Sequence, residues 1–201
     1  MSTAASVFSR FVPDGAIPYC VRLYEELNFD FRIKKARRTK FGDYRFDPLG
    51  NKHSITINND LNTYAFLITY LHEVAHLVTY NTHKRSVKPH GNEWKENFIK
   101  VATPVLNSDV FPPKVLTSLQ AYLTNPKASS CSDPHLYQIL KAYDHPSEQL
   151  LLKDLEPGTS FLFNKKSFEY LEMKRTRVIC KDLTSGRKYL INQLAEVKEI
   201  T

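Results

Sequence analysis

Two histidines four residues apart, with a glutamate directly after the first, stand in the stretch LHEVAHLVTY as His72, Glu73 and His76. On an α-helix, residues i and i+4 project from one face, so both imidazoles can reach one ion while the carboxylate, one step round, flanks it. This is the geometry of the HExxH motif, and neutral imidazole is a ligand suited to zinc. A catalytic zinc takes three protein ligands and leaves its fourth position to water, whose pKa it lowers to about 7. Such a site needs a third ligand.

His90 is the best candidate, because it lies in the loop that ends where the next helix begins and can fold back over the first helix. His83 in the same loop competes with it, as do Glu93 and Glu96 on the following helix, where a gluzincin places a carboxylate. The metzincin spacing HExxHxxGxxH is absent, since positions 79 and 82 are both threonine. Against all of these stands the plainer possibility that His72 and His76 are hydrogen-bonded core residues of an ordinary buried helix. The long apolar run around them argues otherwise: burying two histidines and Glu73 without a partner costs several kcal/mol, and a metal supplies the partner.

The arrangement HEVAHLVTY followed by KPHGNEW closely resembles the SprT family of zinc metallopeptidases, which includes bacterial SprT proteins and the eukaryotic DNA–protein crosslink protease Spartan. The family pattern is HExxH on one helix and a third histidine in an HGxxF or HGxxW motif opening the next. Those positions are His72, Glu73 and His76, then His90, Gly91 and Trp94. The resemblance implies one zinc ion on His72, His76 and His90, with Glu73 as general base for peptide hydrolysis. It runs from about residue 15 to residue 105. SprT proteins often end in a cysteine zinc ribbon, whereas this chain has only Cys180 in the corresponding region.

The elements that must position these residues are legible from periodicity. PYCVRLYEELN reads as a short amphipathic helix, with its proline in the first turn. FDFRIKKARRTKFGDYRFDP alternates bulky and charged residues around a turn expected at FGDY, and HSITINND adds a third β-rich run, so a small antiparallel sheet is expected. Leu61 to about Tyr80 is dense in apolar residues and free of Gly and Pro, as a largely buried helix would be. NEWKENFIKVA, with Asn92 as N-cap, PKVLTSLQAYL and PHLYQILKAY read as three further helices. After DHPSEQLLLKDLEPG come short β-prone runs separated by turn residues such as Asn164 and Ser185-Gly186.

The expected fold is therefore α+β: a zincin-like domain of helices on a small antiparallel sheet over residues 1–143, then a linker over 144–156. A β module over 157–201 completes it, as a degenerate zinc ribbon or another barrel-like unit. Cys20, Cys131 and Cys180 are too scattered for a disulfide framework or a cysteine zinc cluster and read as buried, reduced thiols. No run is long and apolar enough for a membrane span and no signal peptide is visible, so a cytoplasmic location is expected.

The net charge of +7 favours a polyanionic partner. Residues 31 to 45 hold seven basic residues against Asp43. Arg32, Lys34, Lys35, Arg37, Arg38 and Lys40 are candidate contacts to single-stranded or protein-bound DNA. Phe31, Phe41 and Tyr44 among them are expected to pack inward. Lys84, Arg85 and Lys88 should rim the active-site cleft and favour acidic or nucleic-acid-bound substrates, and they and Arg175 and Arg177 of the β module are further candidate nucleic-acid contacts. His53, His135 and His145 are isolated and carry no assigned role. The function expected is zinc-dependent hydrolysis of protein or peptide substrates by a zinc-activated water, with DNA-associated or DNA-crosslinked proteins among the candidate substrates. The competing expectation is a nucleic-acid-binding or transcription-related regulatory protein with a mainly structural zinc site. A fourth protein ligand closing the metal would mark the structural site, and an open position in a cleft would mark the catalytic one.

Overall fold

In the computed structural model, which describes residues 3–37, 40–127, 133–144 and 150–200, the chain divides into two compact units, Met1–Asp144 and His145–Thr201. The mixture of helices and sheets is that of an α+β protein. No helix among the described residues is long and apolar enough to cross a membrane.

The first unit opens with α1 (Thr3–Phe8) and α2 (Ile17–Leu27). Pro18 sits in the first turn of α2, and Asn28 ends the helix in the left-handed conformation at φ 47°. Three strands follow, β1 (Asp30–Lys34), β2 (Gly42–Asp47) and β3 (Lys52–Asn58). They are ordered β1-β3-β2, with β3 antiparallel to β2 but parallel to β1, so the sheet is mixed rather than wholly antiparallel. The expected turn at FGDY is not there: Gly42 already belongs to β2, and the tight turn follows at Pro48 to Asn51. β3 takes the central place because Ile55 and Ile57 are fully buried, whereas β1 shows solvent Asp30, Arg32 and Lys34 in alternation.

The helix α3 (Thr63–His83) carries the HExxH residues. Its N-cap is Asn62, whose side chain accepts a hydrogen bond from the Ala65 N–H at 3.0 Å. Every residue from Phe66 to Ala75 is buried, as expected of a helix that is apolar on all sides. Next comes α4 (Asn92–Ala102), capped by Gly91 rather than Asn92, with Trp94, Phe98 and Val101 turned into the core. Asn97 donates to Thr79 Oγ1 at 3.0 Å and ties α4 to α3. The helices α5 (Pro113–Leu123) and α6 (Pro134–Lys141) complete the unit.

The second unit is one six-stranded antiparallel sheet. Its strands are β4 (Leu150–Leu151), β5 (Ser160–Phe163), β6 (Lys166–Lys174), β7 (Arg177–Asp182), β8 (Lys188–Asn192) and β9 (Glu196–Glu199), in the order β4-β9-β5-β6-β7-β8. The segment from 150 to 155, expected to be linker, is built into this unit: Leu152 and Leu155 are buried with Phe161, Phe168, Val178 and Val197. Of the three consecutive leucines there, Leu152 is fully buried and Leu151 half-buried, while Leu150 stays exposed. Asn164 and Lys165, both at positive φ, form the two-residue turn between β5 and β6. Among the described residues this unit holds no cluster of metal-ligating side chains. Cys180 is buried, and burial pushes its thiol up to about 11. Cys20 is likewise buried in the first unit, while Cys131 and His145 lie outside the described residues.

Candidate metal centre

His72 and His76 project from one face of α3, and the loop before α4 returns His90 to them. Their Nε2 atoms form a triangle: His72 to His76 3.2 Å, His76 to His90 2.9 Å, His72 to His90 3.2 Å. Three nitrogens each about 2.0–2.1 Å from a tetrahedral zinc would stand about 3.3 Å apart, so the triangle is close to one face of such a site. The three residues form a group able to hold a metal ion. His83, Glu93 and Glu96, the competitors for the third place, are not part of it.

All three imidazoles are held neutral, the form that binds a metal. Burial carries His72 well below its ordinary range, helped by its two neighbours, and takes His76 down to about 3. Burial also lowers His90. Trp94 packs against all three, its ring centroid 4.6 Å from His72, 5.3 Å from His76 and 4.6 Å from His90. Phe98 stacks behind Trp94 at 5.1 Å. The HGNEW segment thus delivers a ligand and the plate that packs it. His90 stands at φ 59°, a left-handed conformation costing on the order of 1 kcal/mol, which histidine tolerates better than bulkier residues. Gly91 follows because a Cβ there would press on the Lys88 carbonyl oxygen at 3.0 Å.

Glu73 is 6 % exposed. Burial is the main reason its carboxyl is pushed up to about 8, with Asp43 adding to the rise. The Tyr44 backbone N–H and the charges of Arg37 and Lys40 oppose it. A Cβ on Gly42 would lie 2.7 Å from Glu73 Cγ and 2.8 Å from Thr69 Cγ2. Only glycine lets β2 run this close to α3, which explains why Gly42 stands in a strand and not in a turn.

The strand is held there by a clamp. Arg37 donates to Asn58 Oδ1 at 2.7 Å and to Thr56 Oγ1 at 2.9 Å, with longer contacts to the Thr56 and Phe41 carbonyls at 3.3 and 3.5 Å. Asn58, fully buried, donates in turn to the Arg37 and Lys40 carbonyls at 3.3 and 3.0 Å. Arg37, expected among the nucleic-acid contacts, therefore has its guanidinium engaged inside the fold.

These residues border a cleft of about 600 Å³ lined by His72, Glu73, His76 and His90 together with Asp43, Tyr44 and Trp94. Lys84, Arg85 and Lys88, the rim expected from the sequence, also line it, and Lys40, not expected there, joins them. Arg32, Lys34 and Lys35 are exposed, Arg32 paired with Asp30, while Arg38 lies outside the described residues. Arg175 and Arg177 are exposed in the second unit. Phe31 packs inward as expected, against Phe8 and Tyr70. Periodicity missed Gly42 and Asn58, and it missed His53, whose Nδ1 meets the Tyr44 hydroxyl at 2.9 Å. The signal available was a glycine inside a strongly alternating run, which marks close backbone approach as often as a turn.

Residues 13–115, just over half of the chain, match the model of the SprT-like family. No curated protein and no solved structure matches the chain. The matched span contains the sheet, α3 with His72, Glu73 and His76, and the HGNEW segment with His90, and on that ground the chain belongs to the SprT-like family.

Proposed function

We propose that this chain is a zinc-dependent metallopeptidase. The observation that carries the reading is a cluster of three imidazoles with no fourth His, Cys, Asp or Glu donor among the described residues, facing a cleft that also holds a buried carboxyl. A structural zinc is closed by four protein ligands, while a catalytic one keeps a position for water. His72, His76 and His90 would hold the ion. When bound, it supplies Lewis acidity, polarising a peptide carbonyl and making a coordinated water acidic near neutral pH.

The remaining work falls to the chain. A cation beside Glu73 draws its carboxyl down from the raised value it has without one, so that it is ionised and able to accept a proton. Glu73 then takes the proton of the attacking water and returns it to the leaving amine. The Tyr44 N–H and the tight passage of Gly42 hold that carboxylate in place. Trp94 keeps the ligand side of the cleft dry, which strengthens each electrostatic contact in it.

The test is Glu73→Gln. The variant should keep its bound zinc, read by metal analysis after dialysis, and lose peptide hydrolysis by a factor of at least about 10². Zinc bound together with undiminished hydrolysis would remove Glu73 from the mechanism. A nucleic-acid partner is supported by the solvent-facing Arg32, Lys34 and Lys35 on β1 and the loop after it. Binding of a labelled single-stranded oligonucleotide that weakens steeply with salt, and weakens again on charge removal at Lys34 and Lys35, is the expected result.

A further inference from the structure

Beyond the histidines the cleft has an aromatic wall. Tyr44 and Phe46 from β2 and Tyr80 from α3 all line it. Phe46 and Tyr80 meet at 4.5 Å between centroids, and Tyr44 lies 6.3 Å from Tyr80. Tyr44 is stacked parallel to His76 at 6.3 Å, so the wall begins directly beside the metal ligands. Its hydroxyl is held by His53, which does not line the cleft. Half-buried rings packed on one another in an open cleft present apolar surface that an occupant could cover.

The rim of this wall carries cations with no acidic partner among the described residues. Lys84, Arg85 and Lys88 form no ion pair among the described residues, and Lys84 Nζ lies 5.4 Å from the Tyr80 ring centroid. Asp43, which could have neutralised the cleft, is already paired with Lys40 at 2.8 Å and Arg45 at 2.7 Å. An apolar corner under unpaired cations is complementary to a bulky apolar side chain flanked by carboxylates. It suits a nucleobase less well: Tyr44 is already stacked on both His53 and His76, and Phe46 and Tyr80 are tilted against each other by 32°, which leaves a corner rather than a flat face.

We propose that Tyr44, Phe46 and Tyr80 form the side-chain subsite of the cleft, taking a bulky apolar residue of an extended peptide while Lys84, Arg85 and Lys88 hold acidic residues next to it. The inference rests on the peptidase reading and names its substrate class. These residues act on selection and binding, not on the bond being broken.

The experiment uses the zinc-loaded full chain and labelled peptides of one length, carrying Phe or Ala at the central position with an acidic or a neutral flank. Binding is followed by fluorescence anisotropy, and cleavage is measured separately. The Phe peptide with the acidic flank should bind about tenfold more tightly than its Ala counterpart, as expected for burial of one aromatic side chain. Phe46→Ala and Tyr80→Ala should erase the Phe preference and leave the acidic preference, with the loss in KM rather than kcat. Arg85→Ala with Lys88→Ala should do the reverse and flatten the salt dependence. Phe46→Leu, which keeps an apolar plug, serves where Phe46→Ala does not fold. Equal binding of all peptides, or a Phe preference that is undiminished in Tyr80→Ala and in the Phe46 variant that folds, overturns the subsite. Displacement of the peptide by a single-stranded oligonucleotide that needs Tyr80 overturns it in favour of nucleic acid. Selective binding without any cleavage would count against the peptidase reading alone, and cleavage without selectivity against the subsite alone.

Discussion

His72, Glu73 and His76 enter the cleft from the middle of a 21-residue helix whose residues Phe66 to Ala75 are all buried. The opposite side is made otherwise: Gly42 to Tyr44 approach on a strand fixed by the Arg37 clamp, and Lys84 and His90 stand on a loop at positive φ. One side is set by bulk packing, which fixes many groups together. The other is set by single contacts and strained backbone, each of which can be changed alone. Changes on the packed side should therefore damage stability and metal binding together, and changes on the other side should separate them.

Trp94→Ala is the largest expected break. Trp94 is fully buried against all three histidines and Phe98, so truncation should cost about 4 kcal/mol. Zinc affinity should fall with it, because the imidazoles lose the surface that orients them. Thermal denaturation with and without zinc reads both. A variant that melts early but binds zinc as tightly as the parent would show that the packed side does not set the ligands.

Gly42→Ala should come next, at about 3 kcal/mol, since the new methyl would meet Glu73 and the short, β-branched Thr69 on a helix that cannot yield. Here the two properties should separate: the three histidines stay in place and zinc is retained, while hydrolysis falls because the Glu73 carboxylate is displaced. Loss of zinc in a folded Gly42→Ala protein would contradict the division between the two sides.

These two variants also mark what the residue pattern disclosed. HExxH followed by HGNEW is a helical spacing plus a short loop, and such local signals survive without knowledge of the fold. The buried helix was visible for the same reason, as an apolar run without Gly or Pro. Which strand would lie in the middle was not visible, because β1 pairs with β3 across β2 in sequence, and strand order depends on burial of Ile55 and Ile57 against the rest of the unit. The role of Gly42 was hidden with it: a glycine followed by an aspartate has the chemistry of a turn until the helix that it must clear is in place.

Arg37→Ala removes the clamp and should cost about 2 kcal/mol, since it leaves the buried Asn58 and the half-buried Thr56 without their charged donor. Activity should drop more than zinc affinity, as for Gly42→Ala but less. Arg37→Lys should recover only part of both, because an ammonium cannot reproduce the fork of contacts. Full recovery by lysine would mean that Arg37 acts through its charge on Glu73 and not through the loop.

Lys84→Gly carries the smallest effect and the opposite sign. Ser86 N–H closes a turn on the His83 carbonyl at 3.1 Å, and Lys84 stands at its first central position with φ 53° and ψ −125°. Those are the angles of a type II′ turn, where glycine is the ordinary occupant. Glycine should therefore relieve strain and raise stability by about 1 kcal/mol, or about 2–4 °C in melting temperature. If the strain is retained for what the side chain does, the same substitution should weaken binding of acid-flanked peptides while leaving zinc binding unchanged. A gain in stability with no loss of such binding would assign Lys84 to the turn alone and leave the acidic selectivity to Arg85 and Lys88.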